Sequence, residues 1–276
     1  MRDIVRAKQR GEKIVMVTAY DYPTARLVDE AGVDAILVGD SVGMVVHGLD
    51  STLQVTMDIM RLHVAAVARA KPRALVVGDM PFMSYETSTA EAIRNAGELL
   101  SAGADAVKLE GGEEYSDVVK ALVRAGIPVM GHIGLTPQKH KLLGGYRLLG
   151  KTLEEAKKII RDAEALEEAG VFAVVIEFTA YEVAKKITEK LSIPTICIGS
   201  GPYCDGQVLV LHDIIGLTPS PPPFAKKYRD AAKLVREAVA SFAEEVRSGT
   251  FPGKGMYWGM KRGEHEKLEK ELRNQT

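Results

Sequence analysis

Sulfur chemistry is nearly absent: Cys197 and Cys204 are the only two cysteines in 276 residues. So few and so closely spaced, in and beside one apolar run, they cannot staple a chain of this length, and they predict a reducing, cytoplasmic compartment. An excess of charge is also missing, because 36 Lys and Arg against 37 Asp and Glu leave a formal charge of -1. No electrostatic footprint for nucleic acid or an anionic membrane follows, and the expected partner is a small molecule. No stretch approaches the ~20 apolar residues of a membrane helix, and the opening MRDIVRAKQRGEK has no apolar signal-peptide core, so neither export nor spanning is expected. What is present, 46% hydrophobic and 26% charged residues, is ordinary for a folded soluble chain and excludes general disorder.

Eight short runs rich in Val and Ile alternate with longer segments of helical spacing: 13–20, 34–41, 74–80, 106–112, 128–134, 172–178, 194–200 and 207–213. Strands buried on both faces read this way in a parallel sheet. Three joints repeat a pattern, DEAGVDAILV, SAGADAVKLE and EEAGVFAVVIE, in which Gly32, Gly103 and Gly170 suit the left-handed position that ends a helix. Pro128 and Pro194 stand where strands begin and a missing N–H costs least. Such units closing on themselves predict one (β/α)₈ barrel over 1–276, with a doubly wound open sheet as the alternative and a charged C-terminal tail from about residue 253. Connections 42–55 and 136–151 are long, both follow strand C-termini, and loops at that end of a barrel build the active site. RDAAKLVREAVASFAEEVRSG predicts a final helix with Leu234, Val235, Ala238, Val239 and Phe242 on one face.

Almost every predicted strand ends on polar residues: Asp40 and Ser41, Asp79, Lys108 and Glu110, His132, and Glu177. Taken singly, each has a plain structural reading. Asp40 could cap a helix, Asp79 could open a turn, Lys108 and Glu110 could pair with each other, and His132 could be a satisfied core histidine. Glu177 in VVIEF has no partner nearby in sequence. In a parallel barrel all strand C-termini share one mouth, and so many ionisable groups over an apolar core would be costly unless they met a cation, a substrate or one another. Asp40, Asp79 and Glu110, with no Cys or His pair at metal spacing, point to an oxygen-ligated hard cation, Mg²⁺ by preference. A 2-oxo acid could chelate it through keto and carboxylate oxygens, Lys108 could meet the substrate's charge, and Glu177, between apolar flanks, would be the base.

These residues lie in motifs that, in order and spacing, resemble the ketopantoate hydroxymethyltransferase family. The matching stretches are TAYDYPTA, LVGDSVGM, DSTLQVTMD, GDMPFMSYE, VKLEGG, GHIGLTPQ, GGYRLLGK, IEF, IGSG, DGQVLVLHD and FAKKY, spanning roughly residues 10 to 253. The resemblance implies a barrel of the phosphoenolpyruvate/pyruvate-binding type. It also implies transfer of a one-carbon unit from 5,10-methylenetetrahydrofolate, or a modified pterin equivalent, to 3-methyl-2-oxobutanoate. The product would be 2-dehydropantoate for pantothenate and coenzyme A, made through an enolate stabilised by Mg²⁺. It places Asp40, Asp79 and Glu110 at the metal, Asp40, Ser41, Asp79, Lys108 and His132 at the oxo acid, and Glu177 as proton acceptor, in a homo-oligomer that the family suggests is a decamer. Gln54 stands where the family usually has Pro, IGSG replaces IGAG, and the tail beyond Pro252 leaves the pattern. Other readings of the same residues are cleavage or rearrangement of another 2-oxo acid or phosphonate, a phosphate-binding barrel using Gly199, Ser200 and Gly201, and a non-catalytic scaffold.

Overall fold

The computed structural model, which describes residues 1–275, closes eight parallel strands into a barrel in sequence order. The strands are β1 (Ile14–Thr18), β2 (Ala35–Val38), β3 (Leu75–Asp79), β4 (Ala106–Glu110), β5 (Val129–Gly134), β6 (Ala173–Glu177), β7 (Thr195–Ile198) and β8 (Gly206–Leu209). The helices are α1 (Arg2–Arg10), α2 (Tyr22–Glu30), α3 (Val42–Val45), α4 (Met57–Ala68), α5 (Thr89–Ala102), α6 (Ser116–Arg124), α7 (His140–Leu143), α8 (Leu153–Ala169), α9 (Tyr181–Lys190), α10 (Leu211–Ile215), α11 (Ala231–Ser248) and α12 (Glu264–Arg273).

Alternation along each strand sorts the apolar residues into two layers. Ile14, Met16, Ala35, Leu37, Val77, Ala106, Met130, Val175, Ile196 and Val208 fill the barrel interior. Their strand neighbours, such as Ile36, Val38, Val76, Val107, Leu109 and Val174, pack outward against the helices. Ile4 and Ala7 of α1 join the interior set, and Lys8 bonds the Thr188 carbonyl and Asp205, so α1 closes the end where the strands begin. Helix starts follow local chemistry: Asp21, Thr56, Ser88 and Thr152 each accept an N–H three residues on. Gly103 ends α5 at φ 112°, and a Cβ there would come 2.4 Å from that of Ala68. No helix of the described residues is long and apolar enough to cross a membrane.

Two expectations change. The run at 207–213 is a strand only to Leu209; the Thr18 hydroxyl accepts the Leu211 N–H and the chain turns into α10. The two cysteines do not staple the chain at long range, but Cys197 and Cys204 form a disulfide across the β7–β8 connection, so their scarcity is no sign of a reducing compartment. Pairing of adjacent strands leaves their Cα atoms 5.7 Å apart, within bridging range, so the bond closes one local turn.

Residues 1–228 form the barrel unit, and a second compact unit begins at Arg229. Within the second unit α11 is helical as expected, but the predicted face is uncovered: Leu234, Val235, Val239 and Phe242 are all more than half exposed. The charged tail also orders in part as α12.

Candidate active site

Strand register alone makes neighbours of the polar residues at the mouth. Asp79 pairs with Lys108, Glu110 with His132, and Gly134 with Glu177. Lys108 and Glu110, two apart on β4, both point inward, yet they do not pair with each other. Lys108 Nζ lies 2.7 Å from Asp79 Oδ1 and 3.1 Å from His132 Nδ1. His132 Nδ1 is 3.4 Å from Glu110 Oε1, and its Nε2 is 3.2 Å from Glu177 Oε2. Asp40 caps no helix; its backbone N–H donates to Asp79 Oδ2 at 3.1 Å, which ties the end of β2 to the Asp79 carboxylate. Gly39 lets β2 end this way, since a Cβ there would sit 2.8 Å from Ser41 Oγ and 3.4 Å from Asp79 Oδ2. Ser41 Oγ is 2.9 Å from the Tyr20 hydroxyl.

Asp40, Asp79, Lys108, Glu110 and His132 are each no more than 5% exposed. Burial, reinforced by Asp79 and Glu110, pushes the Asp40 carboxyl well above the ordinary range. Asp79 is raised by burial against the pull of Lys108. Glu110 is also opposed by burial, yet His132, Lys108 and the Gln138 N–H hold it below its ordinary value. The carboxylates push Lys108 up despite burial. Burial and Lys108 oppose protonation of His132, but Glu110 and Glu177 prevail and lift it to about 9. As imidazolium the ring stands between two carboxylates, Glu110 at Nδ1 and Glu177 at Nε2, and is held to Glu177 by charge, since Nε2 has no aligned hydrogen bond. As neutral imidazole accepting from Lys108 at Nδ1, it still carries Nε2–H.

Glu177 ends β6 with its side chain 16% exposed, so it keeps a path to solvent that the other five lack. Its position is held by an unusual turn: Phe178 adopts φ 39°, a left-handed conformation that costs a non-glycine residue ~1–3 kcal/mol. The turn is held by Leu135 N–H on the Glu177 carbonyl, Leu149 N–H on the Phe178 carbonyl, and Phe178 N–H on Ile198. The Phe178 ring lies 5.4 Å from that of Phe224.

Two residues at the centre of the network carry no signal of their own in the sequence. Gln138 donates its amide to Asp40 Oδ2 (2.8 Å) and the Met80 carbonyl (3.0 Å), and its backbone N–H to Glu110 Oε2 (3.0 Å). The Tyr85 hydroxyl lies 2.9 Å from Gln138 Oε1 and 3.0 Å from the Glu110 carbonyl. Both stand in quoted motifs, GLTPQ and FMSYE, just beyond strands β5 and β3; that placement was the available clue.

The donor set suits a hard divalent cation. Three buried carboxylates face one lysine, Asp40 is strongly disfavoured as an anion without further positive charge, and Asp79 Oδ1 has no aligned hydrogen bond. Among the described residues no three Asp, Glu, His or Cys side chains converge at metal distance. Asp40 and Asp79 are the adjacent pair, while both oxygens of Glu110 face His132 and Gln138.

Residues 1–254 match the family described as ketopantoate hydroxymethyltransferase. A protein of Hyperthermus butylicus named 3-methyl-2-oxobutanoate hydroxymethyltransferase is 72% identical over all of this chain and 96% of its own. One of the same name from Ignicoccus hospitalis is 69% identical over 94% of this chain and 98% of its own. Among solved structures, phosphonopyruvate hydrolase in complex with oxalate and Mg²⁺ superposes with a TM-score of 0.61 at 14% identity, covering 99% of this chain and 96% of that one. 2,3-Dimethylmalate lyase, of the PEP mutase/isocitrate lyase superfamily, gives 0.59 at 18% identity, with 99% and 98% covered. These two structures share its fold.

Proposed function

Because the chain belongs to the ketopantoate hydroxymethyltransferase family, we propose that its barrel mouth binds 3-methyl-2-oxobutanoate and adds a hydroxymethyl group to it, giving 2-dehydropantoate. The observation that carries the reading is the division of the mouth: a buried acidic pair, Asp40 and Asp79, on one side, and the solvent-reaching Glu177 on the other, with Lys108 and His132 between.

Asp40, Asp79 and Glu110 would hold Mg²⁺, and the bound ion would supply electrophilic pull on the keto oxygen. Lys108 and Ser41 meet the substrate carboxylate. Glu177 takes the proton from the carbon next to the keto group, while the charge of the His132 ring 3.2 Å away holds its carboxylate at the mouth. That carbon then forms its new bond to the methylene of 5,10-methylenetetrahydrofolate or a modified pterin; both carbon–nitrogen bonds of the methylene break, water supplies the hydroxyl oxygen, the tetrahydro carrier leaves, and the product feeds pantothenate and coenzyme A synthesis. The partial exposure of Glu177 gives the abstracted proton a way out, which a sealed carboxylate would not have.

Turnover of 3-methyl-2-oxobutanoate with methylenetetrahydrofolate, with Mg²⁺ or with EDTA, on wild type and Glu177→Gln, tests this. Expected are activity in wild type, its loss with EDTA, and a Gln variant that binds the oxo acid without turning it over. Failure of the oxo acid to bind sinks the substrate assignment; binding without turnover sinks the tetrahydrofolate donor; an active Gln variant sinks Glu177 as base.

A further inference from the structure

We propose that Gln138 is a positioning residue that ties the loop after β5 to the orientation of the acidic cluster, so that cation affinity at the mouth depends on its side-chain amide. The inference rests on the reading that the mouth holds a divalent cation. Gln138 is 3% exposed and comes from the 3₁₀ turn Pro137–Lys139 in the connection after β5, yet it touches groups at the ends of three strands: Asp40 after β2, Met80 after β3 and Glu110 at the end of β4. By accepting the amide at Oδ2, Asp40 leaves Oδ1 as its remaining oxygen for a ligand. Tyr85, bonding Oε1, fixes which way the amide faces, so the NH₂ end cannot turn from Asp40 without losing both contacts.

The same residue anchors a loop that reaches over the site. Leu135, Thr136 and Gln138 are buried at its start, and Leu149 is bonded to Phe178 and Ala180 at its end. Between them Leu142 is 84% exposed and Tyr146 half exposed, stacked on His140 with ring centroids 5.5 Å apart. Tyr146 lies in the field of Asp40, Glu177 and Glu110. Gln138 therefore stands where a loosened loop and a turned Asp40 carboxylate are the same event.

The test uses the full chain and Mn²⁺, an oxygen-seeking ion with a magnetic readout, as the probe. Gln138→Met keeps length and the backbone N–H to Glu110 but removes the amide. Its Mn²⁺ affinity is expected to fall roughly 10- to 100-fold, the range for residues that orient metal ligands from behind. Without metal, trypsin should cut at Lys139, Lys141 and Arg147 roughly tenfold faster, following the population of the open loop. Tyr85→Phe, which frees the amide without deleting it, should shift both in the same direction by less, and it decides the matter if the Met variant does not fold. Mn²⁺ affinity within about twofold of wild type overturns the proposal even if the loop is cut faster, since outer-ligand effects exceed that. A wild type that takes no Mn²⁺ overturns it as well. If Gln138→Met behaves as expected but wild type does not turn over the oxo acid, the proposed reaction falls and this assignment stands.

Discussion

The two ends of the barrel interior are built from the same strands and obey opposite rules. At the floor, Ile14, Met16, Ala35, Val77, Ala106 and Met130 interlock with Ile4 and Ala7 of α1, with the Lys8–Asp205 pair at its partly exposed rim. A few residues further along the same strands, Asp79, Lys108, Glu110 and His132 are as deeply buried, and every one leans on a charged neighbour. The floor is stabilised by removing apolar area from water; the mouth is a set of groups whose desolvation is only partly offset until something binds. Stability and chemistry are thus separated along the strand axis, and substitutions at each end should separate likewise.

The largest effect is expected from Glu177→Gln, which should lower turnover by ~10²–10⁴-fold while leaving the thermal midpoint nearly unchanged. Met130→Ala reverses the pattern. It should cost ~2–5 kcal/mol in denaturant unfolding and keep turnover per folded molecule, because its side chain is fully buried in the floor. A drop in kcat for folded Met130→Ala would break the comparison.

Acid–base linkage sharpens it. His132 is raised from 6.5 to about 9 in the folded chain, so its contribution is full below 6.5 and is lost as pH rises through 9. Asp40, also raised, acts in the same direction from the ordinary carboxylate range upward. The metal-free protein should therefore lose thermal stability with rising pH, His132→Asn should remove the alkaline part, and Mg²⁺ should flatten the acidic part by making the Asp40 anion welcome. A profile unchanged by either would show that the mouth does not titrate with folding. The smallest effect is expected from Thr56→Ala at the start of α4, about 1 kcal/mol of stability with no change in kinetics.

Much of this was legible in the sequence, for reasons particular to the residues. Val and Ile runs of strand length, separated by helical spacing and closed by Gly103 or Gly170, report a parallel sheet covered on both faces, and their number, eight, favours its closing into a barrel over the open sheet. Asp79, Lys108, Glu110 and Glu177 could be read because a parallel barrel gathers strand ends. Gln138 and Tyr85 could not, since a loop's path is not periodic and an amide gives no sign of the carboxylate it will meet. The disulfide was hidden because Cys197 and Cys204 come together only through the pairing of β7 with β8. For α11 the helix was legible from its spacing, but the exposure of its apolar face was not.

The pairing of Asp79 with Lys108 and Glu110 with His132 has a consequence for how such a chain can change over generations. Residues inserted into the connections leave these pairs intact, so loops are free to lengthen and vary. One residue gained or lost inside β4 would exchange Lys108 and Glu110 for Val107 and Leu109, turning both charges into the helix layer and greasing the mouth in a single step. Lineages carrying this chemistry should therefore differ in loop length and almost never in strand length.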